Sequence, residues 1–287
     1  MKLYSINTGH FKLDGGAMFG VVPKSMWNKI NPADENNMCS WALRSLLIED
    51  GNRLILIDNG MGSKQDEKFF GYYYLHGDDT LDKSLARNAF HANDITDVFL
   101  THLHFDHCGG SIVKDGDKLI PAFKNATYWS NKVHWDWAVN PNDREKASFL
   151  KENILPIKES GQLKFIDTAN ADHTKLGEIH FAGNFSVRFV NGHTQAMMLP
   201  QIKYNNKTIV FMADLLPSQG HIPIPYVMAY DMFPLTTLTE KKLFLREAME
   251  NNYILFFEHD PVYECCNLEH TERGIRPKDF FKIEEIA

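Results

Sequence analysis

The sequence predicts an α+β fold, a single domain over residues 1–287 built of two facing sheets. Three observations predict it. Two apolar runs, Ala42–Ile48 and Arg53–Asp58, flank the turn sequence Glu49-Asp50-Gly51-Asn52, which is a β-hairpin pattern. A second hairpin pattern, Met197–Tyr204 and Lys207–Ala213 about the turn Asn205-Asn206, lies in the second half. Four separate apolar strands run into loops that carry a residue able to bind metal, namely His102, His193, Asp214 and His259. Strands sharing one orientation would bring those loops to a common edge. No linker, low-complexity segment or familiar repeat divides the chain.

In order, the chain opens with a strand over Lys2–Ile6. The glycine-rich apolar segment Asp14–Pro23 reads as a loop bordering a pocket or a subunit interface, or else as a packed turn. Leu81, Leu85 and Ala89 are spaced for one helix face. The aromatic run Phe69–Tyr74 reads as packing. Asp97–Leu100 is a short buried strand and Ala126–Trp129 another. Ser130 is placed to cap a helix through Val133, Trp135 and Ala138. Trp135 and Trp137 read as packing residues. Strands follow at Leu163–Ile166, Phe185–Val190 and Tyr253–Phe257, and a helix over Thr239–Met249 sets Leu243, Glu247 and Glu250 on a mixed surface.

Composition narrows the function. At 44% hydrophobic and 23% charged, the chain has the make-up of a soluble globular protein with a sizeable core. A net charge of −7 gives none of the basic excess that nucleic-acid binders carry. No stretch approaches the roughly 20 apolar residues of a membrane span, and the first residues lack a signal-peptide pattern, so a cytoplasmic location is expected. Cys39, Cys108, Cys265 and Cys266 show neither CxxC spacing nor the density of a secreted scaffold, so free thiols are expected.

The chemistry centres on His102-Leu103-His104-Phe105-Asp106-His107-Cys108-Gly109-Gly110. Three histidines and a carboxylate within six positions, at the end of a strand, form a metal-binding pattern. Neutral imidazole and carboxylate suit zinc, and also iron, cobalt or manganese. In an extended stretch His102, His104 and Asp106 point to one side and His107 to the other, so one loop can serve two ions. The expected first metal is held by His102, His104 and His193. Asp106, His107 and His259 hold the second, and Asp214 bridges. Two adjacent cations would acidify a bridging water and polarise a carbonyl or phosphoryl oxygen, with Asp106 passing the proton onward. His10, His76, His91, His134, His173, His180 and His270 read as ordinary core or surface residues.

At these residues the chain resembles the metallo-β-lactamase superfamily. The loop His102–Gly110 looks like its signature, and Gly192-His193-Thr194, Asp214 and His259 follow in the family's order. The resemblance spans about Trp41 to His259 and implies an αββα sandwich with a dinuclear site at one sheet edge. A bridging aspartate sets the chain apart from true β-lactamases, and His-Leu-His-Phe-Asp-His is similar to N-acyl homoserine lactonases. Methyl-parathion-type organophosphate hydrolases share that site. Two departures stand out. Thr194-Gln195-Ala196 replaces the common proline-glycine form after His193. Pro217 stands where one lactonase branch has a carbonyl-polarising tyrosine, a role that passes to Tyr226, Tyr230 or His221.

The expected function is therefore a dinuclear lactonase that takes a small lactone or ester and binds neither nucleic acid nor membrane, with an acyl chain held among Met18, Phe19, Ile222, Ile224 and Met228. A homodimer through the apolar N-terminal segment is expected from similar lactonases. The alternatives are a phosphotriester or phosphoester hydrolase and a metal-stabilised binding protein without turnover.

Overall fold

The computed structural model describes residues 1–168 and 176–286; His173 lies outside them. The chain forms two compact units, Met1–Gly9 with Leu43–Asn170, and His10–Ala42 with Ala171–Ala287. Among the described residues no helix is long and apolar enough to cross a membrane. The four cysteines are free and buried.

In the first unit the predicted hairpin is present. Met38–Asp50 pairs antiparallel with Arg53–Ile57, with Asp50 opposite Arg53. Beyond it the strands Arg53–Ile57, Asp97–Phe99, Thr127–Asn131 and Leu163–Ile166 run parallel in that order. Parallel neighbours need crossovers. Helices Glu67–Tyr73 and Leu81–Arg87 lie in the first crossover, and Lys132–Val139 and Lys151–Glu159 in the last. Because these strands share a direction, Asp58 and Thr101–His104 leave them at the same edge, where open α/β sheets place their ligands. The core under this edge joins Leu47, Leu56, Val98, Leu103, Tyr128 and Ile157.

The second unit carries a seven-stranded sheet, from Gly274–Phe281 at one edge to Glu178–Ala182 at the other. The hairpin Met197–Tyr204/Lys207–Phe211 is as predicted. The pair Lys207–Phe211 and Ile254–Phe256 is parallel. Its crossover is the helix Pro234–Glu250, which starts five residues before the predicted Thr239. Asp214 and His259 thus follow parallel neighbours out of the same end of the sheet.

Several expectations are corrected. The first strand runs on to Asp14, and Asp14 then caps a short helix, Gly15–Phe19, by accepting from Ala17 N at 2.8 Å. Met18 and Phe19 are buried, as in a packed turn, while Val21 is 94% exposed. The cap of Lys132–Val139 is Asn131, which accepts from His134 N at 2.8 Å, while Ser130 remains in the strand. The strands Cys265–Thr271 and Gly274–Phe281 were not foreseen. Their alternation is broken by charged residues, and the last strand lies at the edge, partly exposed.

Asp97 anchors the first sheet. It accepts from Arg53 at 3.0 and 2.7 Å, from Trp129 Nε1 at 2.7 Å and from Thr96 Oγ1 at 2.7 Å. Burial alone would raise its pKa, but these hydrogen bonds outweigh it and hold the carboxyl below its ordinary value. The stability it confers is present above the unfolded carboxylate pKa of about 3.9 and is lost as pH falls through the lower folded value. Asp97→Ala is expected to cost about 3 kcal/mol in urea unfolding at pH 7, because it strands buried donors and the Arg53 charge. The difference from the wild type should shrink as pH drops below about 4.

Candidate metal centre

Each unit presents its own cluster of ligand-type side chains. In the first, the backbone leaves Phe99 extended and His104 keeps φ −65°, ψ 152°. Phe105–Cys108 then closes a single helical turn. The alternation predicted for His102, His104 and Asp106 therefore ends at His104; Asp106 and His107 sit on the turn. The two glycines that follow allow close backbone approach. A Cβ on Gly109 would lie 2.2 Å from Met61 O, and one on Gly110 2.2 Å from Asn59 O.

His102 Nε2 and His104 Nδ1 face each other at 3.1 Å. The other nitrogen of each ring is anchored: His102 Nδ1 lies 3.0 Å from Thr101 Oγ1, and His104 Nε2 donates to Glu145 Oε1 at 3.0 Å. His107 Nδ1 donates to Asp58 Oδ2 at 3.1 Å, and its Nε2 turns toward Asp106 Oδ2 at 3.9 Å. Asp58 also accepts from Thr101 N at 2.8 Å and Thr101 Oγ1 at 2.6 Å, and it holds φ 53°, a strained left-handed backbone for a residue with a side chain. Such partners behind a ligating imidazole fix its tautomer and orientation. Phe105 packs against Phe69 and Tyr73, with ring centroids 5.4 and 4.7 Å apart. Burial, reinforced by the Asp106 charge, pushes the Tyr73 hydroxyl up to about 12. His134, set aside in the sequence reading, accepts from Leu103 N at 2.9 Å and so steadies the loop.

In the second unit Asp214 receives two imidazoles. His193 Nε2 lies 3.1 Å from its Oδ2 and His259 Nε2 lies 3.3 Å from its Oδ1. The rings are again anchored from behind, His193 Nδ1 to Asp231 Oδ1 at 2.9 Å and His259 Nδ1 to Ala42 O at 2.8 Å. Burial lowers the His193 pKa, but Asp214 and Asp231 outweigh it and raise it to about 10. Ala213, at φ 40°, bends the chain just before Asp214. All seven expected ligands are buried. Their donor chemistry, imidazoles anchored at one nitrogen beside carboxylates, fits divalent cations that accept nitrogen and oxygen ligands.

Asp58, Glu145 and Asp231 were missed as ring anchors. Only Asp58 carried a signal, as a carboxylate at a strand end; Glu145 and Asp231 lie in loops with no pattern. Of the proposed substrate-polarising residues, His221 is buried. Its Nε2 donates to Met18 O at 2.9 Å, Ser218 Oγ lies 2.9 Å from its Nδ1, and its ring stacks on Phe19 at 4.7 Å. Both nitrogens are thereby engaged, and burial lowers its pKa to about 3. Tyr226 stands edge-on to Phe19 at 6.1 Å, and Tyr230 is 40% exposed. Met18, Phe19, Ile222 and Met228 are buried in the packing of this unit.

Two adjacent charged residues of the helix Pro234–Glu250 hold the loops. Glu240 accepts from Asn191 N at 2.7 Å and Gly192 N at 3.0 Å, fixing the turn before His193. Burial raises its pKa to about 7 against those bonds. Lys241, fully buried, donates to the carbonyls of Pro223, Ile224 and Tyr226 at 3.1, 3.3 and 2.7 Å. Burial lowers its pKa to about 7.

The chain belongs to the metallo-β-lactamase superfamily, whose family model matches residues 44–259. It has the metallo-β-lactamase fold, in the α+β class expected. A crystal structure of a probable metal-dependent hydrolase from Staphylococcus aureus superposes with a TM-score of 0.87 at 26% identity, covering 100% of this chain and 98% of that one. AidC, a dizinc quorum-quenching lactonase in complex with the product N-hexanoyl-L-homoserine, superposes at 0.77 with 23% identity over 98% of this chain and 95% of that one. The N-acyl homoserine lactonase of Bacillus thuringiensis is 26% identical over 165 residues, 54% of this chain. The match spans 56% of that relative's length.

Lys241→Met should release the Pro223–Tyr226 carbonyls. Hydrogen exchange of the amides between Ile222 and Tyr230 is expected to accelerate at least about tenfold. Unchanged exchange there would show that the lysine does not hold the segment.

Proposed function

We propose that this protein is a dinuclear metal-dependent hydrolase that opens the lactone ring of N-acyl homoserine lactones. Asp214 carries the reading: its two oxygens address two different imidazoles, as a carboxylate shared between two cations must. His102, His104 and His193 would hold one ion, Asp106, His107 and His259 the other, and Asp214 both. Similarity to lactonases supports the substrate class. Two divalent ions, zinc ahead of iron, cobalt or manganese, would when bound supply Lewis acidity toward the carbonyl and acidify water toward neutrality.

The remaining tasks fall to side chains. Asp106 takes a proton from the attacking water as its oxygen bonds to the acyl carbon. It returns that proton to the ring oxygen as the C–O bond breaks, leaving an alcohol and a carboxylic acid that releases its remaining proton to solvent as the carboxylate. A tyrosine hydroxyl, Tyr226 or Tyr230, donates to the carbonyl oxygen; His221 is unsuited because both its nitrogens are committed.

Metal-loaded protein should release acid from N-acyl homoserine lactones in a pH-stat, faster than it hydrolyses paraoxon-type triesters. Silence toward every acyl length overturns the lactonase reading, and faster triester turnover transfers it to phosphotriesters. Asp106→Asn should cut kcat at least about 100-fold with the thermal midpoint retained; equal rates contradict the proton-transfer role. Asp231→Ala should weaken zinc binding about 10–100-fold in a chelator competition, and undiminished affinity would remove its part in holding His193.

A further inference from the structure

A groove in the second unit shares no residue with the proposed ligands. It opens between the segment Ile222–Pro225, the helix Pro234–Glu250 and the hairpin that joins the last two strands, and it encloses about 470 Å³. That volume is the size of a small-molecule site rather than of a protein interface. Its apolar lining comes from Ile222, Ile224, Leu245, Met249 and Ile275. Ile222 and Leu245 are fully buried, so the accessible apolar wall is made by the half-buried Ile224, Met249 and Ile275. His270 also lines the groove, as do four cations: Lys242, Arg246 and Arg273 are exposed around it and Arg276 is half-buried. One acid, Glu250, lines it too and pairs with Arg246 at 2.9 Å. Four cations against one carboxylate invert the balance of a chain whose net charge is −7.

We propose that this groove binds an amphipathic anion, an acyl chain ending in a carboxylate. The chain lies along Ile224, Met249 and Ile275, where burial of each methylene is favourable. The carboxylate meets the fork of Arg273 and the remaining N–H groups of Arg276, whose Nη1 donates to Ile275 O at 2.7 Å. The ligand seats against Ile224, in the same segment whose carbonyls Lys241 grips.

Dodecanoate titrated calorimetrically into the full-length, metal-loaded protein is the test. Binding of one dodecanoate per chain is expected. The double variant Arg273→Glu/Arg276→Glu should weaken it at least about tenfold while keeping the thermal midpoint. Lys242→Glu supplies the same readout should the double variant fold poorly. Dodecyltrimethylammonium, with the charge reversed, should not bind the wild type. Because a carboxylate also suits a metal, His102→Ala must leave dodecanoate affinity unchanged. No binding, equal affinity in the charge-reversed variants, loss of binding in His102→Ala, or binding of the cationic amphiphile would each overturn the groove, whatever the outcome for lactone turnover.

Discussion

The structure around the candidate metal centre depends on carboxylates set behind imidazoles. Asp58 behind His107, Glu145 behind His104 and Asp231 behind His193 each accept from one ring nitrogen and so turn the other toward its cluster. An imidazole in a dry interior has no water to orient it, and an unpaired carboxylate there would be costly. The pairs solve both problems together. The fold is arranged to supply them: Asp58 ends one parallel strand while His107 follows the next, and the loop with Asp231 lies just before the helix Pro234–Glu250.

That helix shows how far this economy extends. Its buried stripe runs Thr237, Glu240, Lys241, Phe244, Leu245 and Ala248, so two charged residues occupy positions a helix normally gives to apolar side chains. Neither is paired with the other in the manner of a surface ion pair. Glu240 takes two backbone N–H groups ahead of His193, and Lys241 takes three carbonyls of the segment beyond Ile222. The stability won by the apolar part of the stripe offsets the desolvation of these two groups. In return, both loops are tied to a rigid element. A rigid mount is what metal ligands and substrate-facing residues require, since small displacements degrade both affinity and rate.

The outer face of the same helix has another character. There Lys242, Arg246 and the hairpin arginines stand around the half-buried Met249 and Ile275. One helix thus serves both a buried polar clamp and a cationic groove, and the Ile222–Pro225 segment that Lys241 holds also lines the groove.

The sequence by itself determined the hairpins, the apolar strands ending at His102, His193, Asp214 and His259, and the choice of nitrogen and oxygen donors. These are legible because β alternation, turn residues and the His102–His107 cluster are local signals that depend on a few neighbouring positions. Tertiary structure alone decided the rest. Glu145 and Asp231 became ring anchors through contacts 41 and 38 residues distant, which no local pattern encodes. Glu240 and Lys241 carry no local signal of burial, because charged residues are rarely buried, and only the loops packed over them place them inside. His221 read as a substrate group, yet Ser218 and the Met18 carbonyl, 203 residues away, engage its two nitrogens. Local periodicity fixes which faces an element has; the partners brought from far along the chain decide what each buried polar atom is for.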